Sequence, residues 1–216
     1  MTQPFSRRGQ LAAKLAFLAA CVLVVALGAW AVSLNRTWQD IGEPVPQPIA
    51  FSHKHHAGDD GIDCRYCHTS VETSAYAGLP STHICLSCHS QLYVDAVPLQ
   101  PLHESAATGK PIEWRRVHTL PDFVYFNHAV HVNKGVACLE CHGRVDQMPL
   151  TWRAERLNMQ WCLGCHRNPA PHLRPRSQVF SMDRSMLTGA EADAVARLLM
   201  RLERERRRTD CSTCHR

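Results

Sequence analysis

The hydropathy of the chain changes character once, near residue 35. Leu15 to Leu34 is an uncharged run of about 20 residues, long enough for a helix that crosses a bilayer. Arg7, Arg8 and Lys14 precede it, and no comparable basic cluster follows at once. The positive-inside rule therefore places residues 1–14 in the cytoplasm, 15–34 across the membrane and the rest on the far side. Ala29-Trp30-Ala31 resembles a signal cleavage site, and Leu18-Ala19-Ala20-Cys21 a lipoprotein one. The run is long for a signal core and continues past Cys21, which favours an uncleaved single-pass anchor over a released, soluble form. Pro44, Pro46 and Pro48 then alternate, and residues 35–50 are expected to form an extended spacer.

Beyond the spacer, one further stretch carries a helical pattern. Thr188-Gly189-Ala190-Glu191 reads as a capping box. It opens a helix whose Val195, Leu198, Leu199 and Leu202 share a face, with Arg204, Arg206, Arg207 and Arg208 crowding its C-terminal end. The remainder predicts short helices joined by loops, with little or no sheet.

Ten of the eleven cysteines fall in five copies of one motif, C-x-x-C-H: Cys64 to His68, Cys85 to His89, Cys138 to His142, Cys162 to His166 and Cys211 to His215. This is the attachment pattern of a c-type haem. Two cysteines three apart share a face of a helical turn, so Cys64 and Cys67, Cys85 and Cys88, Cys138 and Cys141, Cys162 and Cys165, and Cys211 and Cys214 can each reach two vinyl groups of one porphyrin. The histidine that follows (His68, His89, His142, His166, His215) is placed to bind the iron. Zinc ribbons and redox dithiols also use C-x-x-C. Zinc sites pair two such knuckles, whereas here the number is odd, and neither alternative explains a histidine after every pair. A disulfide framework leaves the histidines equally unexplained. Five covalently bound haems c are the expectation.

The motifs sit in a duplicated frame. Phe51-Ser52-His53-Lys54-His55-His56 precedes Gly61-Ile62-Asp63 and the first motif; Phe126-Asn127-His128-Ala129-Val130-His131 precedes Gly135-Val136-Ala137 and the third. A second motif follows each, starting 21 residues after Cys64 and 24 after Cys138. The haem domain, 51–216, thus divides into a dihaem module at 51–91, an insertion at 92–125, a dihaem module at 126–170, and a C-terminal helix with the fifth site at 186–216. The proline-bearing insertion is read as a docking surface, with a plain loop as the alternative.

A low-spin haem needs a sixth ligand opposite its own histidine. Nine of the 14 histidines lie outside the motifs. The repeat selects His53, His56, His128 and His131 as distal ligands. His118 is the first choice for the fifth site and Met159 its rival; Met159 ligation would raise that haem's potential. His55, His83, His103 and His172 have no repeated counterpart and are expected to be exposed or to act behind the ligands. With a sixth ligand available for every iron, no catalytic residue is expected.

Composition limits what surrounds these sites. After the apolar run, about 180 of the 216 residues remain, roughly 35 per haem. That is too little protein to give each haem a private core, so the haems must pack together and supply apolar interior themselves. The formal net charge of +5 does not argue for nucleic acid. Two propionates per haem against one ferric charge would change the total by about −5 when oxidised and about −10 when reduced.

Taken together, the N-terminal helix, F-x-H-x-x-H before the first and third motifs, Leu120-Pro121-Asp122-Phe123 and the terminal Asp210-Cys211-Ser212-Thr213-Cys214-His215 resemble the membrane-anchored pentahaem cytochrome c subunit of bacterial alternative complex III. The F-x-H-x-x-H frame is shared more widely with class III multihaem cytochromes. The resemblance implies a bacterial inner-membrane protein with its haem domain in the periplasm. It implies an electron-transfer role in a quinol:electron-acceptor oxidoreductase, beside integral membrane quinol-oxidising subunits and an iron–sulfur subunit, with a monohaem cytochrome c or a terminal oxidase as acceptor. Two alternatives stay open: a stand-alone membrane-anchored quinol dehydrogenase, which needs an open haem near the helix, and a periplasmic shuttle, which needs the anchor cleaved.

Overall fold

A computed structural model describes residues 6–36, 41–183, 190, 193–194, 197 and 209–215. The helix expected to open at Thr188, with its apolar face and terminal arginines, falls almost wholly outside them. The chain divides into two units, Met1–Ile41 and Gly42–Arg216.

The first unit is one helix, α1, Arg7–Arg36. Its stretch Arg7–Val32 has a mean hydropathy of 2.6 over its most apolar window, none of it buried. By length and composition it can cross a membrane.

The second unit consists of short helices and loops. Among the described residues the α-helices in order are α2 Cys64–Cys67, α3 Thr82–His89, α4 Gln100–Thr108, α5 His128–Asn133, α6 Cys138–His142 and α7 Met159–Arg167. A π-helical turn spans Lys54–Asp59, and a last α-helical turn spans Cys211–Cys214. Among the described residues the β pairing is confined to isolated bridges, among them Pro44 with Trp152, Val124 with His215, and Val136 with Leu173. The helix starts follow local chemistry. The side chain of Asp63 accepts from Arg65 N, that of Asn127 from Val130 N, and that of Asn158 from Trp161 N, which satisfies N–H groups the first turn leaves open.

The apolar core is small. Among the described residues the buried apolar side chains are Ile49, Val71, Leu102, Val132, Ala137, Leu139, Met148, Leu173 and Val179. Val71, Val132 and Val179 form one cluster, with Ala77 and Phe180 against it, and so tie the first module to the second. Other large apolar side chains stay exposed, among them Leu92, Tyr93, Val97 and Phe123. This matches a protein whose interior is completed by apolar cofactor.

Part of the segment read as a spacer is bonded into this unit. Gly42 N donates to Arg153 O and Val45 N to Thr151 O, while Gln47 exchanges two hydrogen bonds with the backbone of Arg115. Within the insertion, α4 packs on α3. Leu102 is buried, Thr82 and Ser105 hydroxyls meet at 2.7 Å, and Ser105 Oγ donates to Lys110 O. Gly109, at φ +69°, ends α4 in the left-handed conformation.

Candidate haem-binding sites

Each C-x-x-C-H motif closes a helical turn. The first forms α2, the second ends α3, the third forms α6, the fourth lies in α7 and the fifth forms the terminal turn. Among the described residues no three His, Cys, Asp or Glu side chains converge as a ligand group. A tetrahedral zinc site needs four such ligands; a haem iron takes two from the protein, because the porphyrin supplies the rest.

The two copies of F-x-H-x-x-H have the same internal geometry. Phe51 meets His53 edge-on at 4.9 Å and stacks on His56 at 4.5 Å; Phe126 meets His128 at 4.8 Å and His131 at 4.5 Å in the same two modes. Across from them stand motif histidines. His53 faces His68 with ring centres 6.4 Å apart and planes 7° from parallel. His128 faces His142 at 6.4 Å and 10°. His56 lies 6.1 Å from His89 at 62°, and His131 lies 6.1 Å from His166 at 40°.

These separations fit one iron between each pair. An imidazole nitrogen binds a first-row metal at about 2 Å, and adding the distance from nitrogen to ring centre on both sides gives about 6.3 Å. Two imidazoles in direct contact would lie closer than this. The direct contact between His118 and His142, at 4.4 Å, illustrates the difference.

In most of these rings the second nitrogen is held. Nδ1 of His56, His68, His89, His128, His131 and His215 bonds to the backbone oxygens of Ser52, Gly78, Leu92, Ala75, Asn127 and Phe123, at 2.7 to 3.1 Å. His53 Nδ1 meets the Thr151 hydroxyl at 2.9 Å. A carbonyl only accepts, so Nδ1 carries the proton in those six rings, leaving Nε2 with its lone pair to bind metal. Burial reinforces the neutral form. It lowers His53 to about 4, aided by His68 and His56, and lowers His142 to about 3, aided by His118, His128, His68 and His53. His131 is lowered by burial as well.

The other histidines go elsewhere. His55 is exposed, with Nε2 3.6 Å from Asp60 and its ring edge-on to His56 at 5.4 Å, and it faces no motif histidine among the described ring contacts. His172 pairs with Glu140 at 2.5 Å, and His83 is exposed. His118 lies against the ring of His142, with Nε2 buried and without a hydrogen-bond partner; Nε of Arg153 is in the same condition. Burial, then Arg153, lowers His118 to about 4. Its ring contact is thus with the third site, and no described ring contact joins it to His215. His215 packs against Phe123 at 5.7 Å. Met159, 66 % exposed, opens α7 one turn before Cys162.

Sequence reasoning missed the residues behind the ligands. The Thr151 hydroxyl and the Ala75 carbonyl orient His53 and His128 from the opposite module, and no local pattern marks either. Arg153 beside His118 was also missed.

Residues 124–216 match the family model of cytochrome c7 and related cytochrome c. Over 97 residues the chain is 42 % identical to the menaquinone reductase, multiheme cytochrome c subunit, of Nitratidesulfovibrio vulgaris. That alignment covers 44 % of this chain and 45 % of the relative, so the chain spans less than half the length of the relative it matches. The helical, strand-poor architecture is that of a multihaem cytochrome domain, and the family match implies covalently bound haem c.

Proposed function

We propose that this chain is the five-haem electron-transfer subunit of a membrane quinone oxidoreductase, anchored in the bacterial inner membrane by α1 with its haem domain in the periplasm. The observation that carries the proposal is the four facing imidazole pairs, each near the separation that one shared iron requires. Haem c held there would supply a one-electron couple at its iron. The work of the chain is to attach, orient and enclose. The ten motif cysteines would form the thioethers. His68, His89, His142 and His166 would bind from the proximal side, with His53, His56, His128 and His131 opposite them in that order. The Nδ1 hydrogen bonds fix the rings, so little rearrangement accompanies a change of charge.

At the fifth site His215 is the proximal ligand. Met159 is favoured over His118 as its partner, because His118 is already packed on His142, while the Cys162 thiol, one turn from Met159, lies close enough to Cys214 to be raised by it. Replacing Met159 with Leu should then remove the highest-potential step of a redox titration. An unchanged titration would return the role to His118.

Two candidate protein ligands at each of the four facing pairs would suit relay rather than substrate binding, and a single apolar helix does not by itself enclose a quinone pocket. The partners are proposed to be integral membrane quinone-reacting subunits and an iron–sulfur subunit, as in alternative complex III, with electrons leaving to a monohaem cytochrome c or terminal oxidase. A second reading reverses the flow, toward quinone, and is favoured by the name of the similar menaquinone reductase subunit. Intact mass of the mature protein should show five haem additions; four or fewer would defeat the proposal. The purified subunit, given quinol alone, should stay oxidised, and fast inhibitor-sensitive reduction would instead make it a quinol dehydrogenase. In the native membrane, quinol-driven reduction of the haems supports the first direction of flow, and quinone reduction by the pre-reduced haems supports the second.

A further inference from the structure

Chain order and spatial order of the attachment sites differ. Resting on the five-site reading above, we infer that the sites form one unbranched line in the order second, first, third, fourth, fifth, with the second and fifth as its two ends.

Each link stands on its own contact. The first and second sites share the Lys54–Asp59 turn and its preceding residue, since His53 faces His68 and His56 faces His89. Their motifs also touch, with Tyr66 and Ser87 hydroxyls 2.7 Å apart. The third and fourth share α5 in the same way, through His128 and His131. Histidines three apart on one turn have neighbouring side chains, which holds their irons side by side.

The two pairs are joined through their first members. The thiols of Cys64 and Cys138 are neighbours. The modules also interlock there: His53 of the first is held by Thr151 of the second, and His128 of the second by Ala75 of the first. The fourth and fifth sites are joined by Phe123 to Phe126. Phe123 O accepts from His215 Nδ1, Tyr125 N donates to Cys214 O at 2.8 Å, and the Phe126 ring stacks on His131.

Exposure follows the same order. Tyr93, 6.4 Å from His89, is 68 % exposed, and Phe123, against His215, is 62 % exposed, whereas His142 in the middle is enclosed by histidines of both modules.

Haem count by intact mass is measured first and tests the five-site reading by itself. With five haems present, His128→Met and His56→Met are each introduced into the full chain, and individual haem potentials are followed by NMR during a redox titration. A changed charge state at one iron acts most strongly on its nearest neighbours. His128→Met should shift the first and fourth haems and leave the second and fifth in place; His56→Met should shift the first alone. A shift of the second haem in His128→Met as large as that of the first overturns the order. If either variant fails to mature, iron positions from anomalous scattering of the unaltered holoprotein decide the same point. Nearest neighbours must be second–first, first–third, third–fourth and fourth–fifth; a second-site iron nearer the third than the first overturns the inference.

Discussion

Gly61 and Gly135 hold the same place in the repeat, yet their surroundings differ. Both have positive φ, +69° and +89°. A Cβ at Gly61 would meet nothing within 4 Å, whereas at Gly135 it would fall 2.5 Å from the backbone oxygen of Arg174, whose N–H bonds to Gly135 O. Gly61→Ala should therefore cost about 1–2 kcal/mol, the left-handed penalty alone. Gly135→Ala should cost on the order of 3–4 kcal/mol, because backbone must also move. Thermal unfolding of the two holoproteins checks this, and equal losses would show that the Arg174 contact yields cheaply. The histidines behave differently under substitution. Replacing His128 or His131 with Ala should convert one haem from low to high spin while leaving its attachment intact. Unchanged spectra in both variants would remove them as ligands. That two histidines of each copy stand opposite motif histidines fits the spacing, because the duplication selects the same two positions twice. Which of them faces which motif was not legible: the partners lie from 14 to 35 residues apart in the chain and are matched by tertiary packing. The ring contact of His118 with His142 was invisible for the same reason.

The helices here are too short to be stable by propensity, so caps and neighbours must hold them. The π-helical turn at Lys54–Asp59 shows how. Gly58 lies so close to the 3₁₀ turn Val145–Gln147 that a Cβ there would overlap Asp146 O. Asp146 is 7 % exposed, and its carboxylate takes two hydrogen bonds from Arg144, at 2.8 and 2.6 Å, and one from Gln147. Arg144, then Gln147, hold this carboxyl below its ordinary range against the opposing effect of burial. A group with a depressed folded pKa stabilises above its unfolded pKa, and the contribution is lost as pH falls through the folded value. Asp146→Asn should therefore destabilise by about 1–2 kcal/mol near neutrality. The gap to the unaltered protein should close progressively below about pH 4. Denaturant titrations at several pH values would measure it, and a gap independent of pH would mean that shape rather than charge seats the turn. The expectation of short helices and loops came from the small number of residues per haem. It could not supply the π-helical form of the first copy, set where Asp60 N reaches back to His55 O and Ile62 N to His56 O.

At the scale of the whole molecule the chain consists of an apolar helix and a separate body. Within the second unit Gly42 and Val45 bond to Arg153 and Thr151. The small buried apolar set leaves much of its interior to be completed by bound cofactor. Exporting residues 42–216 behind a cleavable signal peptide should therefore yield a soluble periplasmic protein. It should carry five haems with the spectrum and potentials of the full chain, while the full chain stays in the membrane after an alkaline wash. The cut removes 26 residues of membrane-compatible helix, worth far more partitioning energy than a peripheral contact supplies. Release of the full chain by the wash would dismiss the anchor and favour the shuttle. Retention of the truncated form in native membranes, but not in membranes lacking the quinone-reacting partners, would show that the body itself docks on them. Loss of haem on truncation would show that the division at Gly42 is not a folding boundary.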